Sequence, residues 1–122
     1  MVFDFLFPNR CLNCNQLIDK SDIVCEVCFP RINFSNQNYN DSNTLKDKLL
    51  VKFPISNAYS LLYYEKESLA QNIIQQLKYN NRENIGKNLA KWVAERVDFQ
   101  TDKPNIITTV PLHYKKLKQR GY

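Results

Sequence analysis

Cys11, Cys14, Cys25 and Cys28 fall in two C-x2-C pairs with ten residues between them. A two-residue gap lets both sulfurs of a pair turn to one side and meet a single ion. Two such pairs supply the four thiolates of a closed tetrahedral zinc site, with Zn–S about 2.3 Å. The residues that follow each pair agree with this. Asn15 comes after Cys14, and asparagine is second to glycine in adopting the positive φ of such a turn. Phe29-Pro30 comes after Cys28 and suits the start of a helical turn. Four thiolates around Zn²⁺ leave a net charge of −2 that Arg10, Lys20 and Arg31 lie near enough in sequence to offset in part. A closed site has no open coordination position, so its role is structural. The other readings of four cysteines are two disulfides, a redox-active C-x-x-C, or free buried thiols. Disulfides need an oxidising compartment, and a redox motif needs a thioredoxin-like βαβ context; neither is visible here.

Composition sets the wider limits. The 122 residues are 43% hydrophobic and 24% charged, with seven tyrosines and seven phenylalanines, a globular rather than a disordered mixture. No stretch approaches the roughly 18 apolar residues that span a bilayer. The opening Met1–Pro8 is apolar but short, carries Asp4 and lacks a basic leader, so it does not read as a signal peptide and the expected location is cytoplasmic. Net charge is +5, divided as −2 over residues 1–42 and +7 over residues 43–122. Lys115, Lys116, Lys118 and Arg120 crowd the last ten residues without an acid. That suits an anionic partner, a phosphorylated metabolite or nucleic acid, and equally a solvated helix face. Glycine occurs only at Gly86 and Gly121 while asparagine occurs fifteen times. No glycine-rich phosphate loop can be built from that.

Three regions separate on this basis: a Cys₄ zinc-ribbon module at 1–33, a polar asparagine-rich linker at 34–44, and a periodic segment at 45–122. In the last, Leu45–Lys52 reads as a short helix closed by Pro54, and Ala58–Tyr64 as an aromatic-rich strand. Ser68-Leu69-Ala70-Gln71 has the form of a capping box. Leu69, Ile73, Ile74 and Leu77 then line one face of a helix ending near Tyr79. Asn80-Asn81 makes a break before a second amphipathic helix, about Arg82 to Val97, marked by Ile85, Leu89, Trp92 (or Val93) and Val97. Asn105–Val110 is a β-branched run that reads as a buried strand, stopped by Pro111 and followed by a basic helical turn. Strand, helix, helix, strand is the grammar of an α/β domain. Two strands do not make an independent sheet, and the chain stops at Tyr122, so the sequence predicts the incomplete start of such a domain.

Four segments taken together resemble the ComF/GntX family of amidophosphoribosyltransferase-like proteins. They are Phe5-Leu6-Phe7-Pro8-Asn9-Arg10-Cys11-Leu12-Asn13-Cys14, Val24-Cys25-Glu26-Val27-Cys28, Gln76-Leu77-Lys78-Tyr79, and Thr109-Val110-Pro111-Leu112-His113 with Lys116-Leu117-Lys118-Gln119-Arg120-Gly121-Tyr122. The third is similar to the family's L-K-Y at a helix end, and the fourth to its V-P-L-H and R-G-[FY]. The resemblance spans the chain in order. It implies a zinc ribbon fused to a type I phosphoribosyltransferase-like fold, which transfers a ribosyl phosphate from phosphoribosyl pyrophosphate with Mg²⁺; some members are linked to competence and DNA uptake. The acidic pair and threonine- and glycine-rich loop that hold the ribose 5-phosphate in the family have no counterpart here. The resemblance therefore implies Zn²⁺ for this chain, and Mg²⁺ and phosphoribosyl pyrophosphate only for a full-length member. It also implies a missing C-terminal half, or a protein partner, to complete the domain.

By the same resemblance Lys78, His113, Arg120 and Gly121 are substrate-binding candidates, and no residue is assigned to catalysis. Each has a plainer reading. Lys78 at a helix end complements the dipole. His113 lies past a strand end, where α/β folds place ligand groups, yet has no visible acid or nucleophile beside it. Arg120-Gly121 belongs to a pyrophosphate-facing loop only if the residues beyond supply the rest. Tyr59, Tyr63, Tyr64 and Tyr79 are expected to pack and Trp92 to be core. The alternative function is a stand-alone zinc-ribbon adaptor that binds nucleic acid or a protein, using its basic tail for phosphates.

Overall fold

The computed structural model describes residues 6–80, 82–99 and 103–121. Tight turns build its first third. Cys11 N–H donates to the Gln16 carbonyl (2.9 Å) and Asn15 N–H to the Cys11 carbonyl (3.0 Å), beside an isolated antiparallel bridge between Arg10 and Leu17. The turn needs a left-handed residue, and Asn15 supplies it with φ 64°. The second cysteine pair opens a 3₁₀ turn, Phe29–Arg31, with Pro30 at its start. This is where proline's fixed φ and missing N–H do least harm. Leu12 N–H to the Ile23 carbonyl (3.0 Å) joins the two halves.

Four α-helices follow among the described residues: α1 (Thr44–Leu50), α2 (Leu69–Tyr79), α3 (Glu83–Ala94) and α4 (Tyr114–Arg120). Asn43 caps α1 by accepting from Lys46 N–H at 2.9 Å. Ser68 caps α2 by accepting from Gln71 N–H at 3.2 Å. The Gln71 side chain returns a bond to the Glu67 N–H at 2.6 Å, one residue ahead of the cap. Asn80 ends α2; its expected companion in the break, Asn81, lies outside the described residues, as do Met1–Phe5 and Tyr122.

One apolar core runs through both the ribbon and the helices. Cys11, Ile23, Val24, Cys28 and Ile32 from the ribbon pack with Leu69 and Ile73 of α2 and Ile85 and Trp92 of α3. Trp92 meets Phe29 and Phe34 edge-on at 5.5 and 5.6 Å, and the Arg96 guanidinium lies 3.9 Å over Phe34. Residues 35–43, between the Phe34 bridge and the start of α1 at Thr44, form neither helix nor strand, but they are tied down. Ser35 is buried and its hydroxyl donates to the Ser60 carbonyl, while Asn43 reaches the Ala58 carbonyl at 2.9 Å.

The strand expectations are corrected. Within 58–64 a single antiparallel bridge, Phe34 with Leu62, forms, flanked by Ser35 N–H to Leu61 carbonyl (3.0 Å) and Tyr63 N–H to Asn33 carbonyl (2.9 Å). The opposing stretch is too short to extend the ladder. Residues 105–110 form neither helix nor strand, with no ladder partner among the described residues, and they are not buried: Ile106, Ile107 and Val110 are 83, 86 and 89% exposed. Tyr63, Tyr64 and Tyr79, expected to pack, are also exposed. No helix among the described residues is long and apolar enough to cross a membrane.

Candidate metal centre

Each C-x2-C turn brings its two sulfurs to one side, and the bond between Leu12 and Ile23 sets the turns face to face. The Asn9 side chain clamps the outside, donating to the carbonyls of Asp19 and Asp22, each at 2.7 Å. All four Sγ atoms lie within 4.8 Å of one another, and Cys14 and Cys25 are 3.6 Å apart. Tetrahedral ligands about 2.3 Å from zinc sit about 3.8 Å from each other. The cluster already has nearly those dimensions. All four thiols are free, and a sulfur–sulfur bond would need about 2.05 Å.

The electrostatics point the same way. Burial works to raise the Cys11 pKa, but N–H groups of Cys14, Cys25 and Asn13 aimed at its sulfur outweigh it and bring it from 9.0 to about 6. At Cys14 the Gln16 N–H favours the thiolate, yet desolvation and the sulfurs of Cys25, Cys11 and Cys28 leave it raised from 9.0 to about 11. One sulfur takes negative charge readily and its neighbours resist a second. A divalent cation at the centre removes that conflict, and coordinated thiols are deprotonated. Four soft sulfur donors, enough to close a tetrahedral shell, suit zinc and leave no place for substrate. Bound there, zinc would supply cross-linking between the two turns and no catalytic chemistry.

N–H donors offset part of the charge, and of the expected Arg10, Lys20 and Arg31 the Arg10 guanidinium is engaged elsewhere. Asn13 gives its backbone N–H to Cys11 Sγ (3.5 Å) and its side-chain amide to Cys28 Sγ (3.2 Å), and Cys25 N–H reaches Cys11 Sγ at 3.3 Å. Arg10 instead donates to the Asn15 carbonyl at 3.0 Å. Two further asparagines fasten the ribbon to the helices: Asn72 of α2 donates to the Leu12 carbonyl, and Asn88 of α3 to the Ser21 carbonyl at 2.7 Å. Sequence reasoning missed Asn9, Asn13, Asn72 and Asn88. The high asparagine count was their only trace.

The other candidates stand apart from this cluster. Lys78 is exposed in the last turn of α2, where a cation complements the helix dipole. His113 is the N-cap of α4, its Nδ1 accepting from Lys115 N–H at 3.4 Å. Arg120 closes α4, and Gly121 follows in the left-handed region at φ 81°, its N–H donating to the Leu117 carbonyl at 2.8 Å. No hydrogen bond or ion pair among the described residues joins Lys78 to His113, Arg120 or Gly121. An open cleft of about 1160 Å³ lies between the ribbon and the residues where α2 ends and α3 begins, lined in part by Arg10, Asp19, Lys20, Gln76, Arg82 and Glu83; its mixed charges select no ligand.

Comparison with curated proteins gave no match, and comparison with solved structures gave none. Among protein families, the double zinc ribbon domain matches residues 2–39. The chain has four cysteines in all, and they enter one cluster, so these residues build one four-thiolate centre. The amino-terminal part of this chain is thus a zinc-ribbon module of the double zinc ribbon type, its four cysteines placed to bind a structural zinc ion.

Proposed function

We propose that this chain is the zinc-bearing amino-terminal part of a ComF-like, amidophosphoribosyltransferase-type protein, with module boundaries at 1–33, 34–44 and 45–122. The observation that carries the reading is the segment after α3. Ile106, Ile107 and Val110 are β-branched, lie outside any helix and are 83–89% exposed, a state that a sheet neighbour would relieve. This run leads directly into Thr109-Val110-Pro111-Leu112-His113 and Arg120-Gly121, the segments that resemble the family. A sheet supplied by a C-terminal half or a protein partner would cover it. Leu77-Lys78-Tyr79 at the end of α2 supports the same reading.

Under this proposal the ribbon acts as a folding and docking element in the cytoplasm, linked to DNA uptake as in some family members. Phosphoribosyl transfer, with Mg²⁺ and phosphoribosyl pyrophosphate, belongs to the completed domain. Lys78, His113, Arg120 and Gly121 are its proposed phosphate-side residues. The 122 residues contain no acidic pair followed by a Thr/Gly loop, so the chain by itself should not bind phosphoribosyl pyrophosphate with Mg²⁺ in a calorimetric titration. The decisive experiment is to read the coding DNA beyond codon 122. Asn-Gln, then an acidic pair and a Thr/Gly loop, supports the proposal; their absence from all three frames removes it.

One observation favours the adaptor instead: Lys103, Lys115, Lys116, Lys118 and Arg120 occur over residues 103–121 without an acidic residue. If about four of these cations contact phosphates, DNA affinity should fall about 100-fold between 50 and 200 mM salt. Fluorescence anisotropy on a labelled duplex reads that slope, and no binding at low salt eliminates the adaptor.

A further inference from the structure

The four sulfurs of the cluster are chemically unequal, and the difference follows the solvent boundary. Cys11 and Cys28 are 3 and 2% exposed and belong to the apolar core with Ile23, Ile32, Ile73 and Trp92. Cys11 Sγ receives the N–H groups of Asn13 and Cys25, and Cys28 Sγ that of the Asn13 amide; such donors draw electron density from sulfur. Cys14 is exposed and Cys25 half-buried. These two lie 3.6 Å apart, and they come from opposite turns of the ribbon.

We propose that Cys14 and Cys25 are a peroxide-sensitive pair whose oxidation to a disulfide releases the zinc ion. Susceptibility follows thiolate character and access, with a second sulfur at hand to resolve the product. Coordinated to a metal ion, Cys14 would be deprotonated, and this thiolate attacks a hydroperoxide oxygen. An S–O bond forms, the O–O bond breaks, and the departing hydroxide takes a proton to leave as water. Cys14 is then a sulfenic acid. The Cys25 thiolate attacks the Cys14 sulfur, an S–S bond forms, the S–O bond breaks, and a second hydroxide is protonated to water. Two thiolates lose two electrons in total, and one hydrogen peroxide with two protons becomes two waters.

The sulfurs must approach by roughly 1.5 Å to reach disulfide length, starting from 3.6 Å. Cys14 sits in the exposed turn that Asn15 completes, so the movement need not disturb the core. Cys11 and Cys28 are then left as two of the four ligands that a closed site requires. The new bond still ties the two turns together, so the ribbon would lose its metal without losing its cross-link.

Tryptic cleavage makes the test direct, because Lys20 separates a peptide of residues 11–20, with Cys11 and Cys14, from one of residues 21–31, with Cys25 and Cys28. The zinc-loaded 122-residue chain, its metal content fixed by elemental analysis, is titrated with hydrogen peroxide beside a chromogenic chelator and mapped without reduction. The expected product is the cross-linked pair of peptides, joined Cys14 to Cys25 by fragmentation, with one zinc ion released per disulfide. Dithiothreitol with added zinc should restore the starting state. Links within either peptide as the main product, sulfinic acid at Cys14 without a link, a link between two chains, or a disulfide with zinc retained would each overturn the proposal. So would a starting protein that holds no zinc.

Discussion

Stripping zinc from the folded chain should unravel the ribbon and expose Trp92, although Trp92 lies far along the sequence from the cysteines. It is the sole tryptophan, 6% exposed, and its ring rests edge-on against Phe29 and Phe34. Phe29 follows Cys28 directly, and its N–H bonds to the Cys25 carbonyl at 2.9 Å, so the cysteine turn fixes where that ring lies. The ribbon's own aliphatic contribution comes from Ile23, Val24 and Ile32, worth about 5–9 kcal/mol at roughly 1.5–3 kcal/mol each. Structural zinc in a small thiolate module supplies about 10–16 kcal/mol. The metal term is the larger, and it also exceeds or matches the whole net stability of a typical domain, about 5–15 kcal/mol. A chelator titration followed by Trp92 emission and by released zinc should therefore give two coincident curves, the emission moving to the red. Complete loss of metal with unchanged emission and an undiminished thermal melt would refute the argument, because the apolar core would then be holding the turns unaided.

Asn13→Ala removes the amide bonded to Cys28 Sγ at 3.2 Å and should weaken zinc about tenfold, the low end for a supporting ligand contact because Asn13 is exposed; competition with a calibrated chelator measures it. Asn15→Ala forces a Cβ-bearing, non-amide residue to φ 64° and should cost about 1 kcal/mol, whereas Asn15→Gly should match or exceed wild type in a urea unfolding midpoint. Ser68→Ala removes the cap on α2, for a loss of about 1 kcal/mol read in the same assay. Zinc affinity should rise with pH between 6 and 9. A coordinating thiol must lose its proton, and Cys14, held to about 11, still carries one throughout that range, while Cys11, near 6, has largely shed its own above neutrality. Lower pH thus adds competing protons and weakens binding, and a flat chelator-competition profile would contradict the assignment of these thiols as ligands.

The parts of this structure that were legible beforehand are those that depend on neighbours in sequence. The turn at Cys11–Asn15 closes on itself, so the C-x2-C spacing and an asparagine at the left-handed position are enough to read it. The same holds for Ser68 and Gln71 around the start of α2, for Pro30 at the 3₁₀ turn, and for the period that sets Ile73, Ile85 and Trp92 inward. Contacts across long stretches of chain were not legible. An asparagine that clamps a distant carbonyl, as Asn72 does for Leu12 and Asn88 for Ser21, looks like any surface asparagine in one dimension. The strand readings failed for a related reason. β-propensity describes the fit of a side chain to a pleated, half-covered surface, and residues 105–110 have the side chains without that surface.

That mismatch separates the chain into parts with different needs. In residues 9–97 the metal centre and the helix pair share a core, since Cys11 and Cys28 are packed in the same cluster as Ile73 and Ile85. Loss of either should loosen the other. Residues 103–121 draw nothing from that core: their apolar side chains Ile106, Ile107 and Val110 face water. Covering those three would add about 5–9 kcal/mol on the scale used for the ribbon, before the cost of ordering. A surface that pairs with residues 105–110 as a strand collects this energy, while a phosphate backbone bound through Lys115, Lys116 and Lys118 does not. The two functions therefore separate on two measurable quantities. A sheet partner should bind with a large negative heat-capacity change and little salt dependence, and a nucleic acid should do the reverse.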